Sequence, residues 1–111
     1  MIRQAYVSGC YSNPDPRLRN ANIMRAMEAG IALLQHNILP IVPHVGMNHM
    51  TLWAVAISHD KTILHSLDPA QDALVTLFGW GESPGANEEV KLAMMLGIRV
   101  MSLSEALNDH S

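Results

Sequence analysis

Short apolar runs alternate with longer stretches of helical apolar spacing from one end of this chain to the other. Strand-like runs are read at Ile2–Ser8, Ile38–Val42, Ala73–Phe78 and Ile98–Leu103. Ala73–Phe78 is the clearest, being continuous, apolar and short. Ile38–Val42 reads as a buried strand with Pro40 as its blemish. Helix-like segments lie between them. The first runs from about Arg19 to His36, after Pro14 and Pro16 have blocked regular helix, and Asn37 stops it. Ile23, Met27, Ile31 and Leu34 form its apolar face. Thr51–Leu67 reads as one helix or two short ones, ended by Pro69. Ala86–Leu96 is stopped by Gly97, and Ser104 caps a short tail helix. Parallel strands need crossover connections, and crossover helices cover the sheet, so this alternation predicts a parallel sheet with helices on both faces.

The expected fold is therefore a single α/β domain over residues 1–111, with about four parallel strands in a flavodoxin- or Rossmann-like three-layer sandwich. Its 49% hydrophobic content supplies a core, and 15% charged residues argue against disorder. The net charge is −3 with no block of like charge, so neither a nucleic-acid polymer nor an anionic membrane is the expected partner. Cys10 is the single cysteine, which excludes an intrachain disulfide and suits a reducing, cytoplasmic setting. The N-terminal stretch lacks a signal-peptide core, and no apolar run approaches the roughly 20 residues of a membrane helix.

In parallel sheets, ligands bind beyond the C-terminal strand ends. Three loops stand there: Gly9–Asn20, Pro43–His49 and Gly79–Gly85. Glu88 and Glu89 follow the third. Carboxylates in a first helical turn are stabilised by the macrodipole, by about 0.3–1 kcal/mol, so helix-end charge explains them simply. A carboxylate at the ligand edge of a sheet is also a nucleophile or base. Ser8, Gly9 and Ser12 offer donors to a phosphate or sugar, but no G-x-G-x-x-G fingerprint accompanies them. Cys10 and Arg17 have six residues between them, not the five of a phosphatase cradle, so that chemistry is rejected. His44 reads as a polar lining group, and His44, His49, His59 and His65 lack metal-ligand spacing. Trp80 has two equal readings, packing over the sheet edge or stacking on a base or sugar. No motif calls for a cofactor or metal.

Three stretches together resemble the nucleoside 2-deoxyribosyltransferase-like superfamily, which includes deoxyribosyltransferases and nucleotide N-glycoside hydrolases. They are "AYVSGCYS", "ILPIVPH" and "DALVTLFGWGESPGANEEVKLAMMLGIRV". The third is the most specific, with Gly85, Glu89 and Ala93 at four-residue spacing. The chain looks closest to a small phage and bacterial branch. The resemblance implies that Glu89 rather than Glu88 is the nucleophile, attacking the anomeric carbon and displacing the base. It implies that Tyr6 holds Glu89 by a hydrogen bond. It also implies that Ser83, with the Gly9 loop, meets a 5′-hydroxyl or 5′-phosphate, and that a neighbouring subunit completes the site. A homodimer or larger assembly is then expected, with Met47, Met50 and Met94 available for the contact.

Two departures stand out. Cys10 replaces a proline or serine of the family loop. The family's acid, which protonates the leaving base, falls at Leu64, so Asp68, Asp60 or His65 must take that role or catalysis is lost. Arg17, Arg19 and Ser83 lean towards a phosphate-bearing substrate. The sequence leaves open the base, the sugar, and the choice between hydrolysis and transfer. A nucleotide-binding module without turnover and a structural or interaction domain are the alternatives.

Overall fold

The computed structural model describes residues 2–9, 15–42 and 61–108. Within them run β1 (Gln4–Ser8), α1 (Pro16–Gln35), β2 (Leu39–Ile41), the helical residues 61–66 (α2), β3 (Asp72–Thr76), α3 (Pro84–Met95), β4 (Arg99–Ser102) and α4 (Leu103–Asn108). A 3-10 turn, Trp80–Glu82, joins β3 to α3. The four strands are all parallel, in the order β2-β1-β3-β4. This is the doubly wound α/β arrangement, with its topological switch between β1 and β3.

Strand alternation splits the core into two layers. Ala5, Val7, Ala73 and Val75 face Ala26, Ala29 and Leu33 of α1 and Ala106 of α4. Tyr6 and Leu74 face Val90 and Ala93 of α3 together with Leu64 and Leu67. The side chains of Ala5, Tyr6, Val7, Leu64, Leu74 and Ala93 are fully buried.

Pro16, expected to block regular helix, instead starts one, and Pro84 starts another. Asp15 caps α1 and Ser83 caps α3, each followed by Pro at the first turn. Proline fits there because its missing N–H belongs to a donor the helix leaves unbonded anyway, and its φ is preset. Asn37 (φ 62°) and Gly97 (φ 76°) turn the chain out of α1 and α3, and Ile38 and Ile98 donate back to Leu33 and Ala93. At α4 the cap is a reciprocal pair, Ser102 with Glu105, rather than Ser104.

Two packing expectations are corrected. The buried face of α1 is Ala26, Ala29, Gly30 and Leu33, whereas Met27, Ile31 and Leu34 stand 41%, 57% and 58% exposed. The helix lies close to the sheet: a Cβ on Gly30 would come within 3.0 Å of Val42 Cγ2. Only small residues allow that approach, and the bulky stripe is left outside. β2 is an edge strand with Leu39 exposed, not a buried one, which accounts for Pro40: an edge strand tolerates a missing ladder donor. Of the helix expected over Thr51–Leu67, residues 61–66 are helical, while residues 51–60 and the Pro43–His49 loop lie outside the described residues.

At the N-terminal edge of the sheet, the fully buried Asp72 accepts from Arg3 Nε (3.2 Å) and Nη2 (3.0 Å), Gln4 Nε2 (2.9 Å) and the Asp68 N–H (2.7 Å). Burial works against ionisation. The Arg3 bonds, the Asp68 N–H, the Gln4 amide and the Arg3 charge outweigh it and hold the carboxyl below its usual range.

Candidate active site

Tyr6 and Ser8 are two apart on β1, so their side chains leave the same face of the sheet. α3 crosses that face and delivers Glu89 to them. The Tyr6 hydroxyl donates to Glu89 Oε2, and the Ser8 hydroxyl donates to Oε1 at 2.7 Å. Both donors are fully buried, while Glu89 is half-buried. The carboxylate is therefore held at both oxygens yet reaches the surface. Ser8 is the last residue of β1, so the arrangement sits at the C-terminal end of the sheet, beside the β1–β3 switch. Glu88, one residue earlier, is exposed.

The approach to α3 is a tightly bonded turn. Gly79 opens it at φ 85°, a left-handed conformation that suits glycine. The Ser83 hydroxyl accepts from the Ala86 N–H at 3.2 Å, and the Asn87 amide donates to the Gly81 and Ser83 carbonyls at 2.8 Å each. Ser83 is thus a helix cap whose own O–H remains a donor. Gly85 has no close neighbour: an added Cβ would meet Ser83 Oγ at 4.0 Å. Gly9 is buried, and a Cβ there would press on Leu77 at 3.0 Å, so glycine lets the chain just past β1 approach Leu77 closely. Trp80 is half-buried and packs on the layer that contains Tyr6 and Val90. Arg19 lies in the first turn of α1, half-buried.

The expected acid is not brought to this place. Asp68 lies at the opposite, N-terminal edge of the sheet, where its oxygens accept from the Ala70 N–H at 2.9 Å and the Gln71 amide at 3.0 Å. Its carboxylate shapes the turn into β3. Leu64 is a fully buried core side chain packed with Tyr6, and His65 is exposed on α2. Asp60, His44 and Cys10 lie outside the described residues, as do Met47 and Met50.

Sequence reasoning assigned Ser8 to substrate. The structure turns it onto Glu89. The signal was present in the period of two that puts Ser8 beside Tyr6 on one strand face. Asn87 as the staple of the turn was missed, and no pattern announces it, because its partners are backbone carbonyls.

Among the described residues no group of three or more His, Cys, Asp or Glu side chains is placed to hold a metal ion. No helix among them is long and apolar enough to cross a membrane. No protein-family model and no curated protein sequence matches the chain.

Proposed function

We propose that this chain cleaves or transfers the N-glycosidic bond of a nucleoside or nucleoside 5′-monophosphate through a covalent glycosyl–Glu89 intermediate. The observation that carries the reading is the Glu89 carboxylate held by Tyr6 and Ser8 at the C-terminal end of the sheet. The likeness of its surrounding sequence to the nucleoside 2-deoxyribosyltransferase-like superfamily supports it further. A Glu89 oxygen attacks the anomeric carbon through an oxocarbenium-like transition state. The C–N electron pair passes to the base, which takes a proton from solvent water as it leaves. Water or a second base then attacks the same carbon and returns Glu89 as a carboxylate. The clamp orients the nucleophile before substrate arrives, which lowers the entropic part of the barrier. Ser83 and the N-terminus of α3, where the helix dipole favours an anion, are the groups for a 5′-hydroxyl or 5′-phosphate.

The test is chromatographic detection of free base from a panel of ribo- and deoxyribonucleosides and their 5′-monophosphates. Wild-type protein releases base from at least one of them, and Glu89→Ala reduces release to background. Release that survives Glu89→Ala sinks the mechanism.

A second reading, a nucleotide-binding module without turnover, is favoured by Leu64 and by the remote position of Asp68. It is recognised by a melting temperature raised by nucleotide with no base released.

Assembly as a homodimer is part of the proposal. It is supported by the exposed stripe Met24, Met27, Ile31 and Leu34, whose spacing of three, four, three is that of a helix-pairing seam. A cytoplasmic setting is supported by the single cysteine.

A further inference from the structure

The C-terminal end of the sheet carries a concavity whose walls do not include Glu89, Tyr6 or Ser8. It is a groove of about 610 Å3 on the α1 side of β3 and β4, within the range of small-molecule sites, roughly 300–1,000 Å3. Phe78 and Trp80, from the segment after β3, form part of its wall. Phe78 stands 91% exposed. An aromatic ring left in water at the mouth of an apolar groove is a platform for another flat ring. Arg25 and Glu28 face the groove from α1, three residues apart and therefore neighbours on the helix surface. They set guanidinium donors beside a carboxylate acceptor. Ser102 also lines the groove, its hydroxyl already engaged with Glu105.

Charge complementarity narrows the occupant. Glu28 opposes an anion and Arg25 opposes a cation, while an aliphatic chain would make no use of either polar group. A neutral, planar heteroaromatic ring with donors and acceptors along its edge uses Phe78, Trp80, Arg25 and Glu28 together. We propose that this groove binds a purine- or pyrimidine-like base, stacked on Phe78 and Trp80 with its polar edge on Arg25 and Glu28. Trp80 also packs on the layer containing Tyr6, so the groove adjoins the Glu89 side. Only the ring's role as leaving or accepting base rests on the glycosidic reading.

Binding is measured by calorimetry on the Glu89→Ala protein, which separates affinity from turnover. The probes are adenine, hypoxanthine, cytosine and thymine, each as free base and as nucleoside. At least one free base binds in the millimolar range or tighter, and Phe78→Ala and Arg25→Ala each weaken it about tenfold or more. Both side chains are exposed, so neither change threatens the fold. Binding by nucleosides alone, no binding by any probe, or affinity indifferent to both substitutions overturns the groove. Base binding that obeys the prediction, in a protein with no Glu89-dependent base release, keeps the groove and removes the glycosidic reading.

Discussion

At the scale of single residues, Tyr6 is the most constrained side chain of the site. Its ring belongs to the buried layer with Leu64, Leu74 and Val90, while its hydroxyl donates to Glu89. The two roles separate by substitution. Tyr6→Phe keeps the ring and loses the donor, and so does Ser8→Ala at the other oxygen. A hydrogen bond to a charged group is worth about 1.5–3 kcal/mol, so each change is expected to lower kcat for base release by roughly 10–100-fold. Melting temperature measured alongside should move little for Tyr6→Phe. Tyr6→Ala, which also empties core volume, should cost about 3–5 kcal/mol in a denaturant titration. An unchanged kcat in both Tyr6→Phe and Ser8→Ala would remove the clamp from the mechanism. Glu89 was legible in the sequence only through the Gly85–Glu89–Ala93 spacing, since two adjacent acids at a helix start look alike. What separates them is rotation about the helix axis: α3 turns Glu89 towards β1 and leaves Glu88 in solvent.

At the scale of elements, strand and helix order was readable because apolar periodicity survives whatever the helix packs against. The packed face was not. In α1 the pattern of large apolar residues is real, but close approach to the sheet selected the adjacent stripe of small ones. Periodicity locates stripes and says nothing of the distance at which they meet a neighbour. The start of α1 differs from the expected one for a related reason: Pro16 suggests a barrier, but its place in the first turn makes it an opener. Ser83 tests the element directly. Ser83→Ala removes the acceptor for the Ala86 N–H and should cost about 1 kcal/mol of stability by chemical denaturation. Ser83→Asp keeps an acceptor and should recover most of that loss. If alanine and aspartate behave alike, the cap contributes nothing.

At the scale of the whole molecule, two features govern solution behaviour. Asp72 holds its proton more weakly in the folded chain than in the unfolded one. Its contribution to stability is therefore complete above the unfolded value of about 3.9 and is lost as pH falls through the lower folded value. Unfolding free energy should decline on acidification from about pH 4 downwards, and Asp72→Asn should flatten that decline. The exposed α1 stripe is the surface on which the proposed dimer rests. Two antiparallel copies related by a two-fold axis place Met24 opposite Leu34 and Met27 opposite Ile31, because the spacing reads the same in both directions. Sedimentation should show a dimer that Ile31→Glu converts to monomer. Sedimentation as a monomer before the change would rule the seam out.

The Arg3–Asp72 clasp and the Glu89 clamp occupy opposite ends of the same short strands. Four steps of about 3.3 Å along β3 put more than 10 Å between those ends, beyond the reach at which substitutions usually couple. The molecule is thus divided into a foundation and a workbench. Losses incurred in reshaping the Glu89 end can be recovered by strengthening the other, and the two sets of changes should simply add.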